Sequence, residues 1–222
     1  MDLMNLLRSV EALLYELVSW LVFYPLTLWR CIVHPHKMAL YAERELTDPP
    51  GEQFVDALSP PLFLFISLVL AHFLQVNFGS PQQVIGGILG EERSLLLFRA
   101  VLFSLFPLLV GVQRVRETGQ KLTRSSLRPA FYGQCYLVAP FAIMMDIAMI
   151  VGQGSFSAAG PLALAIFGVG LAWYLACLTE WFTARGINSR PMAFVRALVT
   201  VLAAAVIFIG IAYVVAVATF GD

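Results

Sequence analysis

Five apolar runs, at residues 57–78, 95–112, 130–151, 159–183 and 194–220, constrain this chain more than any other feature. Each is close to the roughly 20 residues that a helix needs to cross the hydrocarbon core of a bilayer. Inside that core every backbone amide must be satisfied internally, so continuous apolar runs of this length are read as helices. Composition agrees. Hydrophobic residues make up 59% of the chain and charged residues 13%, against roughly 25% charge in soluble domains; the mean hydropathy is +0.81. The expectation is an all-α, polytopic helical membrane bundle with five transmembrane helices. A cleavable signal would need a basic start and a small-residue cleavage site. This chain starts Met1-Asp2 and carries Glu11 and Glu16 in its first apolar segment, so that segment is expected to be retained.

Lys and Arg are enriched in cytoplasmic loops, and twelve of the fourteen basic residues fall before the first run, between the second and third, or from the end of the fourth to the first residues of the fifth, where Arg196 stands. The N-terminus is therefore expected inside and the C-terminus outside. Formal net charge is zero, which argues against nucleic acid as a partner; the basic loops are topology signals, with anionic lipid contact secondary.

Residues 1–33 follow a different pattern. Leu3, Leu6, Leu7, Val10, Leu13, Leu14, Leu17, Val18 and Leu21 recur at steps of three and four, opposite Asp2, Asn5, Arg8, Glu11 and Glu16, the spacing of an amphipathic helix. Leu3, Leu7, Val10, Leu14, Leu17 and Leu21 also fit three heptads of a coiled-coil seam, a face for a partner or a second copy. The wider apolar face favours attachment at the interface. Pro25 is expected to interrupt this segment, with Trp20, Tyr24 and Trp29 at headgroup level; a sixth, broken span is the alternative. Residues 34–56, with Glu43, Glu45, Asp48, Pro49-Pro50 and Glu52, read as a solvent-exposed acidic linker, and 57–222 as the transmembrane domain.

Apart from Glu180 and Arg196 at the inner ends of the fourth and fifth runs, three ionisable residues stand inside apolar runs: His72, Arg99 and Asp146. At 1.5 Å rise per residue all three lie about 7–8 Å outward of their span centres, so they can share one layer. Charges in hydrocarbon face a bundle interior, pair with one another or line an ion path. A structural Arg99–Asp146 pair is the first expectation, with a proton or ion relay as the alternative. Glu180 is expected to pair near Arg185 at the inner interface. Gly168, Ala172 and Ala176 on the fourth run, and Ala205, Ala212 and Ala216 on the fifth, form small-residue stripes suited to close helix packing. The segment 79–90, with Pro81, Gly86 and Gly87, reads as a loop or a short re-entrant piece.

No zinc-binding His pair, nucleophile elbow, Walker sequence or carboxylate dyad is present in the sequence, so neither an enzyme nor a cofactor or metal site is expected. His34-Pro35-His36 lacks helical ligand spacing and neighbouring cysteines. Cys31, Cys135 and Cys177 have no CxxC spacing and are expected as reduced thiols on the inner side, with acylation of Cys31 as a minor alternative.

Phe131-Tyr132-Gly133-Gln134-Cys135-Tyr136-Leu137-Val138-Ala139-Pro140 opens the third run, and Asp56-Ala57-Leu58-Ser59-Pro60 precedes the first. With five spans, a long inner N-terminal region and a short outer C-terminus, this resembles the Yip (Ypt-interacting protein) family over roughly residues 50–222. The first segment is similar to the family's tyrosine-glycine motif followed by leucine and proline; the second lacks the tyrosine-glycine portion. In eukaryotes that family is linked to Rab GTPases, vesicle traffic and membrane shaping. Twelve Arg against two Lys point to a bacterial relative in the cytoplasmic (inner) membrane. The expected function is a non-enzymatic membrane scaffold or membrane-organising protein, acting as a homo-oligomer or in a membrane-protein complex, in which the amphipathic N-terminal helix and acidic linker recruit a partner or promote oligomerisation while the spans anchor it. The alternative is a small oligomeric channel or transporter in which His72, Arg99 and Asp146 line a path for an ion or small molecule.

Overall fold

The computed structural model describes residues 3–79, 92–185 and 189–220. Among them all regular structure is helical, with no strand: α1 Leu3–Val33, α2 Pro35–Glu45, α3 Pro60–Phe78, α4 Glu92–Glu117, α5 Arg124–Gly152, α6 Ala159–Ala184 and α7 Arg190–Phe220. The expected apolar runs correspond to α3 to α7 in order, the first losing residues 57–59 to the turn before α3. Over Leu7–Val33, α1 is also long and apolar enough to cross a bilayer, giving six such helices among the described residues. The chain is an integral membrane protein.

Local signals set the helix ends. Pro60 and Pro61 start α3 where an amide is dispensable. At the start of α5, Thr123 and Ser126 form a reciprocal capping box: the Ser126 amide donates to Thr123 Oγ1 at 3.1 Å and the Thr123 amide to Ser126 Oγ at 3.0 Å. Gly119 follows α4 with φ of +65°, a left-handed turn that glycine adopts freely.

The bundle is organised around α5, which packs against α2, α3, α4 and α6; α7 completes the outer layer against α6 and α4. Aromatic rings fill the space around α5. Phe141 stacks on Tyr174 at 5.1 Å between centroids and meets Phe106 edge-on at 6.1 Å, while Phe63 meets Tyr136 at 5.7 Å. Such pairs add about 0.5–1.5 kcal/mol each beyond their buried area.

Two expectations for the N-terminal region are corrected. Pro25 does not break the first segment: α1 runs through it as one helix, since a single missing amide bond is tolerated in an apolar helix. Nor is 34–56 simply an exposed linker. Pro35 sits in the first turn of α2, and Met38, Ala39 and Ala42 recur at helical spacing and are buried against the bundle. A Cβ on Gly133 of α5 would lie 3.1 Å from the Ala39 carbonyl oxygen, so the absent side chain at 133 is what lets α2 approach. After α2 the chain turns at Phe54, whose φ is +57°. This is a left-handed conformation uncommon for a large residue. It is held by donation of the Phe54 amide to the Glu45 carboxylate and by ring contacts with Tyr41 at 6.2 Å and Tyr132 at 6.1 Å.

Candidate functional site

Asp146 lies six residues before the end of α5, and Arg99 seven residues after the start of the antiparallel α4. This arithmetic brings them to one level, where the Arg99 guanidinium donates to Asp146 Oδ1 as an ion pair. The Asp146 side chain is 1% exposed and that of Arg99 15%. A buried pair of this kind offsets the desolvation of both charges only while both are present. One atom on each side remains unsatisfied: Arg99 Nη1 and Asp146 Oδ2 are buried without a hydrogen-bond partner among the described residues. His72 of α3 is half-buried, stands six residues from the end of its helix at the same end of the bundle, and is itself engaged in an interaction.

The opposite end carries two further ion pairs. Arg185, just after α6, pairs with Glu43 of α2, lies over the Trp181 ring at 3.9 Å and donates to the Trp181 carbonyl at 3.2 Å. Burial pulls the Arg185 pKa below its ordinary value, and the adjacent Glu43 charge opposes that. Arg196 of α7 donates to Glu117 of α4 at 2.6 Å, and Thr200 donates to Gln113 at 2.8 Å. The expected pairing of Glu180 is corrected: it is exposed, and Arg185 chooses Glu43, because α2 is folded back onto α5 and α6.

The small-residue stripe on α6 is also corrected. A methyl group placed on Gly168 would find nothing within 4 Å, and Ala172 and Ala176 are exposed; the two alanines border a groove of about 710 Å³ along α6 and α7. The glycine used for close approach is Gly170, where a Cβ would meet Met144 at 3.1 Å. On α7, Ala205 and Ala212 are partly buried. The side chains of Ala216 and Leu3 lie outside what the structure describes, as does the segment 80–91 with Pro81, Gly86 and Gly87.

Leu7, Val10, Leu14, Leu17 and Leu21 are all exposed, Leu21 at 79%. Among the described residues, it is the later part of α1 that packs against the core. Trp20, Phe23, Tyr24 and Leu28 pack against the core, Tyr24 donates to Ser67 Oγ at 3.1 Å, the Leu58 amide donates to Thr27 Oγ1 at 3.3 Å, and Arg30 donates to the Asp56 carbonyl at 3.0 Å.

In the sequence Gln134 and Tyr136 stand only as members of a motif and Glu43 only as part of an acidic linker, with no contact expected of any of them. The Tyr136 hydroxyl donates to the Leu58 carbonyl, which ties the two motif segments together in space. Gln134 is fully buried with neither amide atom partnered among the described residues, and Tyr174 and Trp181 likewise leave their polar atoms unpaired. A polar residue inside an apolar run was the available signal for Gln134. For Glu43 it was the Met38, Ala39, Ala42 spacing. The three cysteines are free and share the core; Cys31 is 0% exposed, which removes it from the reach of acylation. Among the described residues no three His, Cys, Asp or Glu side chains converge as metal ligands. Comparison of the chain with family models, curated proteins and solved structures returned no match.

Proposed function

We propose that this protein is a membrane scaffold that assembles with copies of itself or with another membrane protein through α1, of the membrane-organising kind that its Yip-like motifs imply. In this reading α3 to α7 are the five spans and α1 lies across the inner, basic end. The contacts of α1 support that placement. Glu16 and Arg30 are about 21 Å apart along the helix, yet both border the one turn between α2 and α3: Glu16 shares a cavity with Pro50 and Gln53, and Arg30 bonds Asp56. A helix descending through the bilayer beside α3 would leave that turn behind.

The observation that carries the proposal is the unused leucine face of α1. Leu7, Val10, Leu14, Leu17 and Leu21 have the spacing of a seam and are left exposed by their own bundle. Leu7→Asp/Leu14→Asp/Leu21→Asp should leave the helical content intact while reducing the mass in native detergent to that of a monomer or stripping a co-purifying membrane partner. Unchanged mass together with an unchanged interaction profile would falsify the scaffold role.

A transport reading is supported by one feature, the unsatisfied Arg99 Nη1 and Asp146 Oδ2, which have hydrogen-bonding capacity left for an ion or water. Under that reading Asp146→Asn changes proton or ion flux in reconstituted liposomes. Absence of any flux from the wild-type protein removes it.

A further inference from the structure

A cavity of about 530 Å³ lies between α1, the turn that leads into α3 and the first turns of α5, within the size range of small-molecule sites. Its wall carries both charges. Arg128 stands at the rim over the Tyr132 ring, 4.9 Å from its centroid. Glu16 is fixed by the Trp20 indole, which donates to Oε1 at 3.0 Å. The ion pairs among the described residues are Arg99–Asp146, Arg185–Glu43 and Arg196–Glu117; among those residues Arg128 has no carboxylate, and Glu16 no cation, although they face one cavity. Opposite charges that border one cavity without pairing with each other match a ligand that is itself dipolar. Phe23, Leu58 and Leu62 make another wall apolar, and Tyr15, Trp20 and Tyr132 are the rings typical of headgroup depth.

We propose that this cavity binds the headgroup of a zwitterionic aminophospholipid. The phosphate meets Arg128, the ammonium meets Glu16 and the aromatic faces, and an acyl chain leaves along Phe23 and Leu62. Phosphatidylglycerol, whose headgroup carries no ammonium, would lack a cation to place against Glu16. Free phosphoethanolamine offers the same charges but leaves the apolar wall uncovered. The site is independent of whether α1 also recruits a partner.

The test uses the full-length protein, purified and delipidated in detergent. Dioctanoyl phosphatidylethanolamine, dioctanoyl phosphatidylglycerol and free phosphoethanolamine are titrated separately, with native mass spectrometry and the thermal midpoint as readouts. The expected result is saturable retention of one phosphatidylethanolamine per chain with a raised midpoint, and affinity at least about tenfold weaker for each of the other two probes. Arg128→Gln and Glu16→Gln should each weaken phosphatidylethanolamine binding by a similar factor while eluting and absorbing as folded helical protein; both positions are exposed, and Arg128→Lys should retain part of the affinity. The proposal is overturned by no saturable binding, by phosphatidylglycerol binding as tightly, by free phosphoethanolamine matching the lipid, or by wild-type affinity in both glutamine variants. The ranking of the three probes on the unmodified chain decides the matter even where a variant fails to fold.

Discussion

The helices α5 and α1 are close in length and both contain internal proline, yet 56% of the most apolar window of α5 is buried within the protein against 6% for α1. The difference is not one of apolar character, since both meet the requirement for crossing a bilayer. It lies in what the surface offers a neighbour. Gly133 of α5 opens the space that α2 fills, Tyr136 reaches back to Leu58, and Asp146 holds Arg99. Before Trp20, α1 offers exposed leucines of similar size, and its charges at Arg8, Glu11 and Glu16 join no ion pair among the described residues. A helix becomes central through shape and polar anchors, because lipid matches its hydrophobicity for free.

The strongest way to break this comparison is to remove an anchor from α5. Asp146→Asn leaves Arg99 without its counter-charge and should destabilise the bundle by about 3–5 kcal/mol, read as a lowered thermal midpoint in detergent. Arg99→Gln should do the same. The double variant should recover much of the loss, and a strictly additive result would show that the two residues are not energetically coupled. A smaller effect is expected from filling the gap at Gly133. Gly133→Leu drives a side chain into the Ala39 backbone and should cost about 1–3 kcal/mol by overpacking, with α2 becoming cleavable by protease before the bundle unfolds; a midpoint equal to wild type would mean that α2 is not held by that approach. The smallest effect belongs to α1. Leu7→Ser or Leu14→Ser should change the stability of the isolated chain by less than about 0.5 kcal/mol, and a loss as large as that at Asp146 would place these leucines against a surface of the same protein.

Part of the site was legible beforehand. Arg99 and Asp146 were paired from depth alone, because helical rise converts residue number to height with little error. Rotation about the helix axis was not readable. In a soluble helix the polar face reports which side is buried, but α6 and α7 are apolar all round, so Gly168 and Gly170 were equivalent in the sequence even though one is exposed and the other packs on Met144. Glu43 was hidden for a different reason. Its segment is rich in charge and looked solvated, and only the docking of α2 brings Glu43 to Arg185.

The sequence alone determined that this chain is helical and belongs in a membrane, and which residues lie at which height, because hydropathy and helical rise are properties of consecutive residues. Only the tertiary structure decided that α5 is the centre, that α2 closes onto it and that the leucines of α1 are left uncovered. Those outcomes depend on how surfaces distant in the chain fit together, and a bilayer that solvates every apolar face equally leaves no trace of that fit in the pattern of any single helix.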